Sequence, residues 1–478
     1  MSKHILLIVI PIVLVSLAHC KSDPGPLPEP SVGKFLPTRG VPGSIVTISG
    51  VNFGEDVSDI AVLFNTVAGE VKTVTDKSVE VAVPNGASNG PLTIRVGDRS
   101  TTTSETFTVL SPEDTVFYFG SDLSYVNQIV DHGGIYKVNN APQDPYRIFR
   151  DRGNEVVRLR LWHNPVWTKE VYDPDGPQLY NDVLDVARAI DASRKLGMKV
   201  LVDFHYSDIW ADPGAQEIPA AWKNIRDINV LRDSVYNYTF KTLRYLDSKG
   251  LLPEFVQVGN EINCGMLYEF NQVPVEGFPA CNVCSGQWTN LRTVINGGIK
   301  AVRDVSSSST VKTKILLHVA DPANVEWWFD NITAGVTDFD AIGFSYYPIW
   351  HTTVAVSDLS DRVATFRTKY HKQVMILETA YPWTNAGNDG YNNLFGAQPP
   401  VTGYPYTPQG QLDMMKKITQ ELMDGGGNGI FYWEPGWITS GIRDYWNTGS
   451  SWENCTFFDF NNNVNIGADY MKNKYDRN

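Results

Sequence analysis

Two glutamates follow short apolar runs that lie far apart in the chain. Glu261 comes after the run 255–258 in F-V-Q-V-G-N-E, and Glu378 ends the run V-M-I-L-E. Paired carboxylates can cleave a glycosidic bond when one protonates the leaving oxygen and the other attacks the anomeric carbon. The acid then needs a raised pKa while the nucleophile stays ionised. A separation of about 5 to 5.5 Å between the carboxylates would favour retention of configuration.

The elements that must position these carboxylates are apolar strands alternating with helical segments. We predict strands at 116–119, 156–161, 200–204, 255–258, 315–319, 341–344, 374–377 and 429–433. Helical periodicity is present at 183–190 and from 412 onward. Eight such strands favour an α/β fold, a (β/α)8 barrel over 111–478, whose active site lies at the C-terminal ends of the strands. Strands four and seven then place Glu261 and Glu378 across the barrel mouth from each other.

The region 31–110 has a different pattern of predicted elements. Short alternating strands at 44–49, 60–64, 78–83 and 92–96 are separated by turn residues, which predicts a small N-terminal β-sandwich. The words P-G-S-I-V-T-I-S-G-V-N-F-G and V-P-N-G-A-S-N-G-P-L-T-I-R-V-G resemble the IPT/TIG immunoglobulin-like family. That resemblance implies a spacer or a binding platform. The lack of an aromatic cluster favours a spacer over sugar binding.

The first 20 residues have the pattern of a signal peptide. Lys3 and His4 precede the apolar run 5–18, which is too short to span a membrane comfortably. Cys20 stands at the expected cleavage point and resembles the lipidated cysteine of a bacterial lipobox, although His19 replaces the usual small residue. We therefore expect export and a lipid anchor at Cys20 on a bacterial cell surface, with plain secretion as the alternative. The Pro-rich stretch 21–30 reads as a linker.

Composition and cysteine spacing narrow the partners. The formal net charge of -13 argues against nucleic acid and against an anionic membrane surface, so we expect membrane contact only through the lipid and a monomeric chain. The content of 13 Trp and 22 Tyr is compatible with a carbohydrate cleft or simply with a core. Cys281-x-x-Cys284 has no second C-x-x-C at zinc spacing. In an exported chain, one or two disulfides are favoured over a zinc site. One disulfide is expected within the loop that contains Cys264, Cys281 and Cys284, and the sequence does not assign the pairing of these residues or of Cys455.

Four longer words resemble glycoside hydrolase family 53. They are G-S-D-L-S-Y-V-N-Q (120–128), V-V-R-L-R-L-W-H-N-P (156–165), D-F-H-Y-S-D-I-W-A-D-P-G (203–214) and F-S-Y-Y-P-I-W-H (344–351). The resemblance implies a retaining endo-glycosidase that cuts β-1,4-galactan, the chain of type I arabinogalactan in pectin, and requires no cofactor. Two alternatives are a non-catalytic galactan-binding surface lipoprotein and another retaining β-glycanase, such as a mannanase or cellulase.

The same resemblance implies roles for single residues. Glu261 is expected as the acid/base, Glu378 as the nucleophile and Asn260 as the ligand of the sugar 2-hydroxyl. Arg158 is expected to hold Glu378 ionised by lowering its pKa. Arg160 lies on the same face of the strand and could take that role, and both arginines could instead be structural.

Further residues are expected around the substrate. Tyr347 should donate a hydrogen bond to Glu378, and His205 and Asp208 should line the sugar subsites. Trp433 should form the floor under the reacting sugar. The remaining stacking candidates, for each of which core packing is the alternative, are Trp210, Trp350 and Trp437.

Two segments depart from the family pattern. The loop 385–393, N-A-G-N-D-G-Y-N-N, offers Asp389 and Asn393 as calcium ligands, but Gly387 and Tyr391 stand where the family has a carboxylate and a histidine. Calcium prefers six or more oxygens, so a structural ion is only a possible addition to a cofactor-free enzyme. The cysteine-bearing insertion 268–285 could reshape the leaving-group side of the cleft.

Overall fold

The computed structural model describes residues 27–111, 115–269, 274–396 and 398–476. The chain divides into two compact units, Met1–Thr115 and Val116–Asn478. The predicted signal peptide, Cys20 and most of the predicted linker lie outside the described residues. Within the described ranges, no helix is long and apolar enough to cross a membrane.

The first unit is a β-sandwich, as predicted. Four strands pair in the order β1-β3-β7-β6 and five in the order β2-β9-β8-β4-β5. Alternation buries one face of each sheet, so that Val46 and Ile48 of one strand meet Val79 and Val81 of its neighbour in a shared apolar core. The strands are β1 (Ser31–Leu36), β2 (Arg39–Gly40), β3 (Ile45–Val51), β4 (Ile60–Phe64), β5 (Val67–Ala68), β6 (Glu70–Thr75), β7 (Ser78–Ala82), β8 (Gly90–Val96) and β9 (Arg99–Val109).

The second unit is a closed barrel of eight parallel strands, which confirms the predicted fold class. In chain order the strands are β10 (Tyr118–Asp122), β13 (Val156–Leu161), β14 (Lys199–Phe204), β15 (Phe255–Val258), β18 (Lys314–Ala320), β19 (Ala341–Ser345), β20 (Gln373–Thr379) and β21 (Gly429–Tyr432). The first of them starts two residues later than predicted, because pairing with β21 begins at Tyr118. Two small hairpins are inserted, β11 (Lys137–Val138) with β12 (Ala141–Pro142) and β16 (Gly265–Met266) with β17 (Cys281–Asn282).

Helices cover the outside of the barrel. They are α1 (Val126–Asp131), α2 (Pro145–Asp151), α3 (Trp167–Glu170), α4 (Val183–Lys195), α5 (Ile228–Ser248), α6 (Trp288–Ser308), α7 (Pro322–Ile332), α8 (Leu359–Tyr370) and α9 (Pro408–Asp424). Short 3-10 turns occur at Val57–Asp59, Ala220–Trp222, Val283–Ser285, Val356–Asp358 and Ile466–Lys472. Asp182 caps α4 by accepting the backbone N–H groups of Leu184 and Asp185, which fixes where this predicted helix begins.

The barrel interior is layered. An apolar plug near the start of the strands includes Val156, Leu201, Phe255 and Leu316. Two residues further along these four strands the side chains are buried and polar, as at Arg158 and Asp203. This switch from an apolar layer to a polar one places the chemistry at the C-terminal mouth.

A disulfide joins Cys264 and Cys284, with the two Cα atoms 5.0 Å apart. It closes the base of the insertion that follows β15, so the expected local staple is present. Cys281 and Cys455 are buried thiols outside any disulfide.

Candidate active site

The two glutamates meet at the barrel mouth. Strand β15 ends at Val258, and Gly259, with a positive φ of 87°, turns the chain; a Cβ there would lie 2.8 Å from the Ile262 side chain. Glu261 itself has a positive φ of 45°, an uncommon conformation for a non-glycine residue. Glu378 is the penultimate residue of β20. Both side chains are buried, and a carboxylate oxygen of each lies within 4.8 Å of the other and of a His318 ring nitrogen.

The two carboxyl groups differ in pKa. Burial and the nearby charge of Glu378 raise the pKa of Glu261 well above its usual range. Burial also raises the pKa of Glu378, to about 7, while the Arg158 guanidinium opposes that rise. Arg158 therefore lowers the pKa of Glu378, as expected, although burial outweighs the effect of the cation. The order is nevertheless the useful one, since Glu261 holds its proton more firmly than Glu378.

Glu378 is held from two sides. Arg158 Nη1 lies 2.9 Å from its Oε1, and the Tyr347 hydroxyl donates to its Oε2 at 2.9 Å. The guanidinium is fixed in turn by Asp122 and Asp203, each at 2.8 Å. The nucleophile candidate thus sits in a pre-ordered set of charge-assisted hydrogen bonds.

Asn260 is held beside Glu261 by hydrogen bonds. Its Nδ2 donates to the carbonyl of Ala211 at 2.8 Å, and its Oδ1 accepts from Arg158 Nη2 at 2.8 Å and from Gln257 Nε2 at 2.9 Å. Asn260 also lines the cleft. One N–H of its amide has no role in these bonds, so the residue can still meet a substrate hydroxyl.

Three polar residues behind the glutamates were not identified from the sequence. Gln257, His318 and Ser345 are buried in the barrel, and His318 bonds to Ser345 and lies near Glu261. Each stands inside or at the end of an apolar strand. The available signal was the polar side chain itself at an inward-facing position of a run such as K-I-L-L-H-V-A.

Arg160 does not contact Glu378 and takes a different partner. Its Nη1 lies 3.1 Å from Oε1 of Glu434, and its guanidinium stacks 3.9 Å above the ring of Trp210. The rings of Tyr125 and Trp162 also face the cation, at 4.6 and 4.8 Å. Burial raises the pKa of Glu434 to about 8. The suggestion that Arg160 could replace Arg158 was therefore wrong, and Arg160 supports an aromatic wall.

Replacing Glu434 should lower the stability of the protein. Glu434→Ala leaves the Arg160 cation buried without its carboxyl partner, so the free energy of unfolding, measured above the pKa of Glu434, should fall by about 3 to 5 kcal/mol. Urea denaturation of both proteins measures this. Asp191→Ala is the matched control, because its pair with Lys195 is solvent-exposed and should matter several-fold less. Equal effects of the two substitutions would contradict the assignment.

His205 and Asp208 lie behind the cleft wall and do not line it, contrary to the prediction. His205 accepts the backbone N–H of Ala211 at Nδ1, and its Nε2 lies 3.2 Å from Asp203. Asp208 accepts backbone N–H groups from Asn164 and Ala220, at 3.0 and 2.8 Å. Neither is among the residues lining the cavity. Both shape the loop after β14, so within this motif His205 and Asp208 have a structural role, whereas Trp210 lines the cleft.

The cleft above the glutamates has a volume of about 720 Å³ and aromatic walls. The predicted stacking residues Trp210, Trp350, Trp433 and Trp437 all line it. Trp350 is 41% exposed and stacks on Phe395 at 4.0 Å. The sequence reading missed two further lining tryptophans, Trp446 and Trp452. These rings come from the loops after β14, β19 and β21, so flat apolar surfaces surround the carboxylate pair on several sides.

The calcium ligands predicted from the family do not fit an ion here. Both carboxylate oxygens of Asp389 accept backbone N–H groups, from Tyr391 at 2.8 Å and from Ser450 at 2.9 Å. The Tyr391 hydroxyl donates to Asp444 at 2.7 Å. With the amide oxygen of Asn393 added, the donor set stays far below the six to eight oxygens that calcium takes. Hydrogen bonds within the protein hold this loop to the loop after β21.

A further group of possible metal ligands includes the two glutamates at the barrel mouth. Glu261, His318 and Glu378 have ligand atoms within 4.8 Å of one another. Glu261 already accepts a hydrogen bond from Ser345. Glu378 is already bonded to Arg158 and to Tyr347. The arrangement suits proton transfer and nucleophilic attack.

Two buried carboxylates with different pKa values at the mouth of an eight-stranded parallel barrel are the arrangement that glycoside hydrolysis needs. The sequence pattern of glycosyl hydrolase family 53 matches residues 118–468, and that of the IPT/TIG domain matches residues 30–109. The chain therefore belongs to glycosyl hydrolase family 53, as its motifs suggested. A glycoside hydrolase of this family requires no cofactor.

Relatives and solved structures agree with this assignment. An arabinogalactan endo-β-1,4-galactanase of Cellvibrio japonicus is 42% identical over 73% of this chain and 88% of its own length. An endo-β-1,4-galactanase of Bacillus subtilis is 31% identical over 70% of this chain and 76% of its own. The solved GH53 catalytic domain of Ignisphaera aggregans is 30% identical with a TM-score of 0.65, covering 77% of this chain and 98% of that domain. A solved structure of fungal β-1,4-galactanases is 26% identical with a TM-score of 0.61, over 75% of this chain and 100% of that one.

Proposed function

We propose that this protein is an endo-β-1,4-galactanase that hydrolyses internal bonds of galactan and type I arabinogalactan with retention of configuration. The observation that carries the proposal is the pair Glu261 and Glu378, with oxygens within 4.8 Å and unequal partners. That separation belongs with the short distances of retaining enzymes, because an inverting pair must leave room for a water. The names of the relatives from Cellvibrio japonicus and Bacillus subtilis supply the substrate.

The geometry supports a two-step reaction. Glu378 attacks the anomeric carbon while Glu261 gives its proton to the leaving glycosidic oxygen, which forms a covalent glycosyl-enzyme. Glu261 then removes a proton from water, the water oxygen attacks the same carbon, and the bond to Glu378 breaks. Arg158 and Tyr347 hold the nucleophile in line. Asn260 binds the 2-hydroxyl, where a hydrogen bond strengthens as charge develops in the transition state.

The cleft favours an internal cut in a neutral chain. Tryptophans stand on several sides of the carboxylate pair, so sugars beyond the reacting one can pack their CH faces on rings. The net charge of -13 is compatible with an uncharged polysaccharide.

A panel of polysaccharides tests this function. Galactan, mannan and cellulose are incubated with the protein and scored for new reducing ends, and proton NMR records the first anomer released. Reducing ends from galactan alone, appearing first as the β-anomer, are expected. Release from mannan or cellulose would show that galactan is not the specific substrate. Binding of galactan without release would show a galactan-binding protein, and an α-anomer as the first product would show an inverting reaction.

We further propose that the chain is exported and lipidated at Cys20. The disulfide between Cys264 and Cys284 supports this, because disulfides persist in oxidising compartments. Radiolabelled palmitate incorporation by intact cells tests it, with Cys20→Ser expected to remove the label. Label retained in that variant would contradict lipidation at this residue.

The N-terminal sandwich is proposed as a spacer. All four phenylalanines of residues 27–111, Phe35, Phe53, Phe64 and Phe107, are buried, and no Trp or Tyr occurs there. Deleting residues 21–110 should leave kcat and KM on soluble galactan within about twofold, because contacts between domains are usually modest. Kinetics on long galactan and on a short oligomer measure this. A tenfold rise of KM confined to the long chain would show that the sandwich binds carbohydrate.

A further inference from the structure

A closed ring of hydrogen bonds begins and ends on Glu261. The Glu261 backbone N–H donates to His318 Nδ1 at 3.4 Å, and His318 Nε2 lies 3.0 Å from Ser345 Oγ. The Ser345 hydroxyl donates to Glu261 Oε1 at 2.5 Å. His318 and Ser345 are fully buried and come from β18 and β19. The barrel wall therefore ties the acid's side chain to its own main chain.

The direction of this ring follows from the donors around His318. Burial and the charge of Arg158 lower the pKa of His318 well below its usual range, so the ring is neutral and has one N–H. The Glu261 backbone N–H donates to Nδ1, which must therefore be the unprotonated nitrogen. The single proton of the Ser345 hydroxyl is donated to Glu261, so the bond between His318 Nε2 and Ser345 Oγ needs a proton on Nε2. Asn260 Oδ1, at 2.9 Å from Nδ1, already accepts from Arg158 and Gln257. The proton of His318 therefore belongs on Nε2, where it is donated to Ser345.

We propose that Ser345, oriented by His318, is a positioning residue that holds Oε1 of Glu261 and leaves Oε2 to carry the catalytic proton. The proposal rests on the acid/base role of Glu261 in the proposed function. When Oε2 gives its proton to the leaving oxygen, the carboxylate that remains keeps the bond from Ser345. When Oε2 later takes a proton from water, the same bond is in place. The ring therefore keeps one geometry through both steps, without moving a proton of its own.

Ser345 also opposes the other influences on the acid. Burial and Glu378 raise the pKa of Glu261, whereas the bond from Ser345 lowers it. The other charged groups that face Glu261 are Asp212 and Arg158, and those that face His318 are Arg158 and His205. None of these groups bonds to Oε1. Removing the Ser345 hydroxyl therefore removes a hydrogen bond that lowers the pKa of Glu261.

The test is Ser345→Ala with two substrates and a pH profile. On galactan, kcat should fall about tenfold because the acid is no longer aimed. On an aryl galactoside with a nitrophenol leaving group, which needs no protonation, the loss should be less than about twofold. The basic limb of kcat/KM on galactan should move up by about one pH unit, since loss of the bond raises the pKa of Glu261. A structural defect would lower both rates together and leave the limb in place.

Two further variants make the result decisive. Ser121→Ala removes another fully buried hydroxyl of a barrel strand, one that has no hydrogen-bond partner among the described residues, and should change none of these quantities. His318→Gln retains a neutral donor and should lose less on galactan than His318→Leu. Equal losses of Ser345→Ala on both substrates, or a basic limb that stays or moves down, would overturn the positioning role. If Glu261→Ala is inactive on galactan while Ser345→Ala equals the wild type, the positioning role alone fails and the proposed function stands.

Discussion

Glu378→Ala is expected to lower kcat on galactan by about 10⁴-fold or more, because no other carboxylate can form the covalent intermediate. Oligosaccharide binding should change little, since the nucleophile acts on the reacting carbon and contributes less to ground-state affinity. Arg158 keeps its bonds to Asp122 and Asp203 in the variant, so the site should stay folded. Steady-state kinetics and calorimetric titration with a galacto-oligosaccharide measure the two effects separately.

Azide provides the decisive control for Glu378→Ala. A small anion can enter the space left by the side chain and attack from the same side, so activity on an activated aryl galactoside should return with inverted stereochemistry. Glu421→Ala is the matched substitution, because Glu421 is also buried but lies on α9 and pairs with Lys417. It should leave kcat unchanged. A Glu378→Ala protein that kept a tenth of the wild-type rate would show that the nucleophile lies elsewhere.

The sequence predicted the barrel well because buried parallel strands are apolar on both faces. Runs such as 156–161 and 255–258 then stand out from the amphipathic helices between them. Glu261 and Glu378 were found for the same reason, since an acid at the end of such a run is conspicuous. The position of each run in the chain was enough to place the two residues across the mouth.

Residues that act through contacts between strands were harder to find. Ser345 bonds to Glu261 across 84 residues of sequence, and Arg158 to Gln257 across 99. No local pattern records such pairs. Ser345 directly follows the predicted run 341–344, and its small side chain fits any buried position. Only the closed barrel brings these atoms within hydrogen-bonding distance.

The alternation of side chains along β13 correctly predicted that Arg160 faces the same side as Arg158. It did not predict the position of Arg160 along the barrel axis. Two residues of a strand advance by about 6.6 Å, so Arg160 lies one layer above Arg158. At that height the neighbouring carboxylate is Glu434 after β21, and Glu378 bonds to Arg158 below. His205 and Asp208 failed as cleft residues for a related reason. They lie in the loop after β14, and their polar atoms bond to the backbone of that loop and to the neighbouring side chains Asp203 and His163.

Glu261→Ala is expected to show a loss that depends on the leaving group. On galactan, kcat should fall by about 10² to 10⁴-fold, because the sugar oxygen is a poor leaving group without a proton. On an aryl galactoside with a dinitrophenol leaving group, the first step should proceed almost normally. The second step then lacks its base, so the glycosyl-enzyme should accumulate and appear as a burst of phenol. Stopped-flow absorbance and intact-protein mass spectrometry record the burst and the adduct.

Azide separates the acid/base from the nucleophile in this variant. With Glu261 absent, azide should attack the accumulated glycosyl-enzyme, which requires no base, and should give a β-galactosyl azide with net retention. The same anion should give the α-product in Glu378→Ala, so opposite stereochemistry from one reagent assigns the two roles independently. The pKa order supports this assignment, since Glu261 is the carboxyl group that holds its proton more firmly. Equal losses on activated and natural substrates, without a burst, would contradict the acid/base role of Glu261.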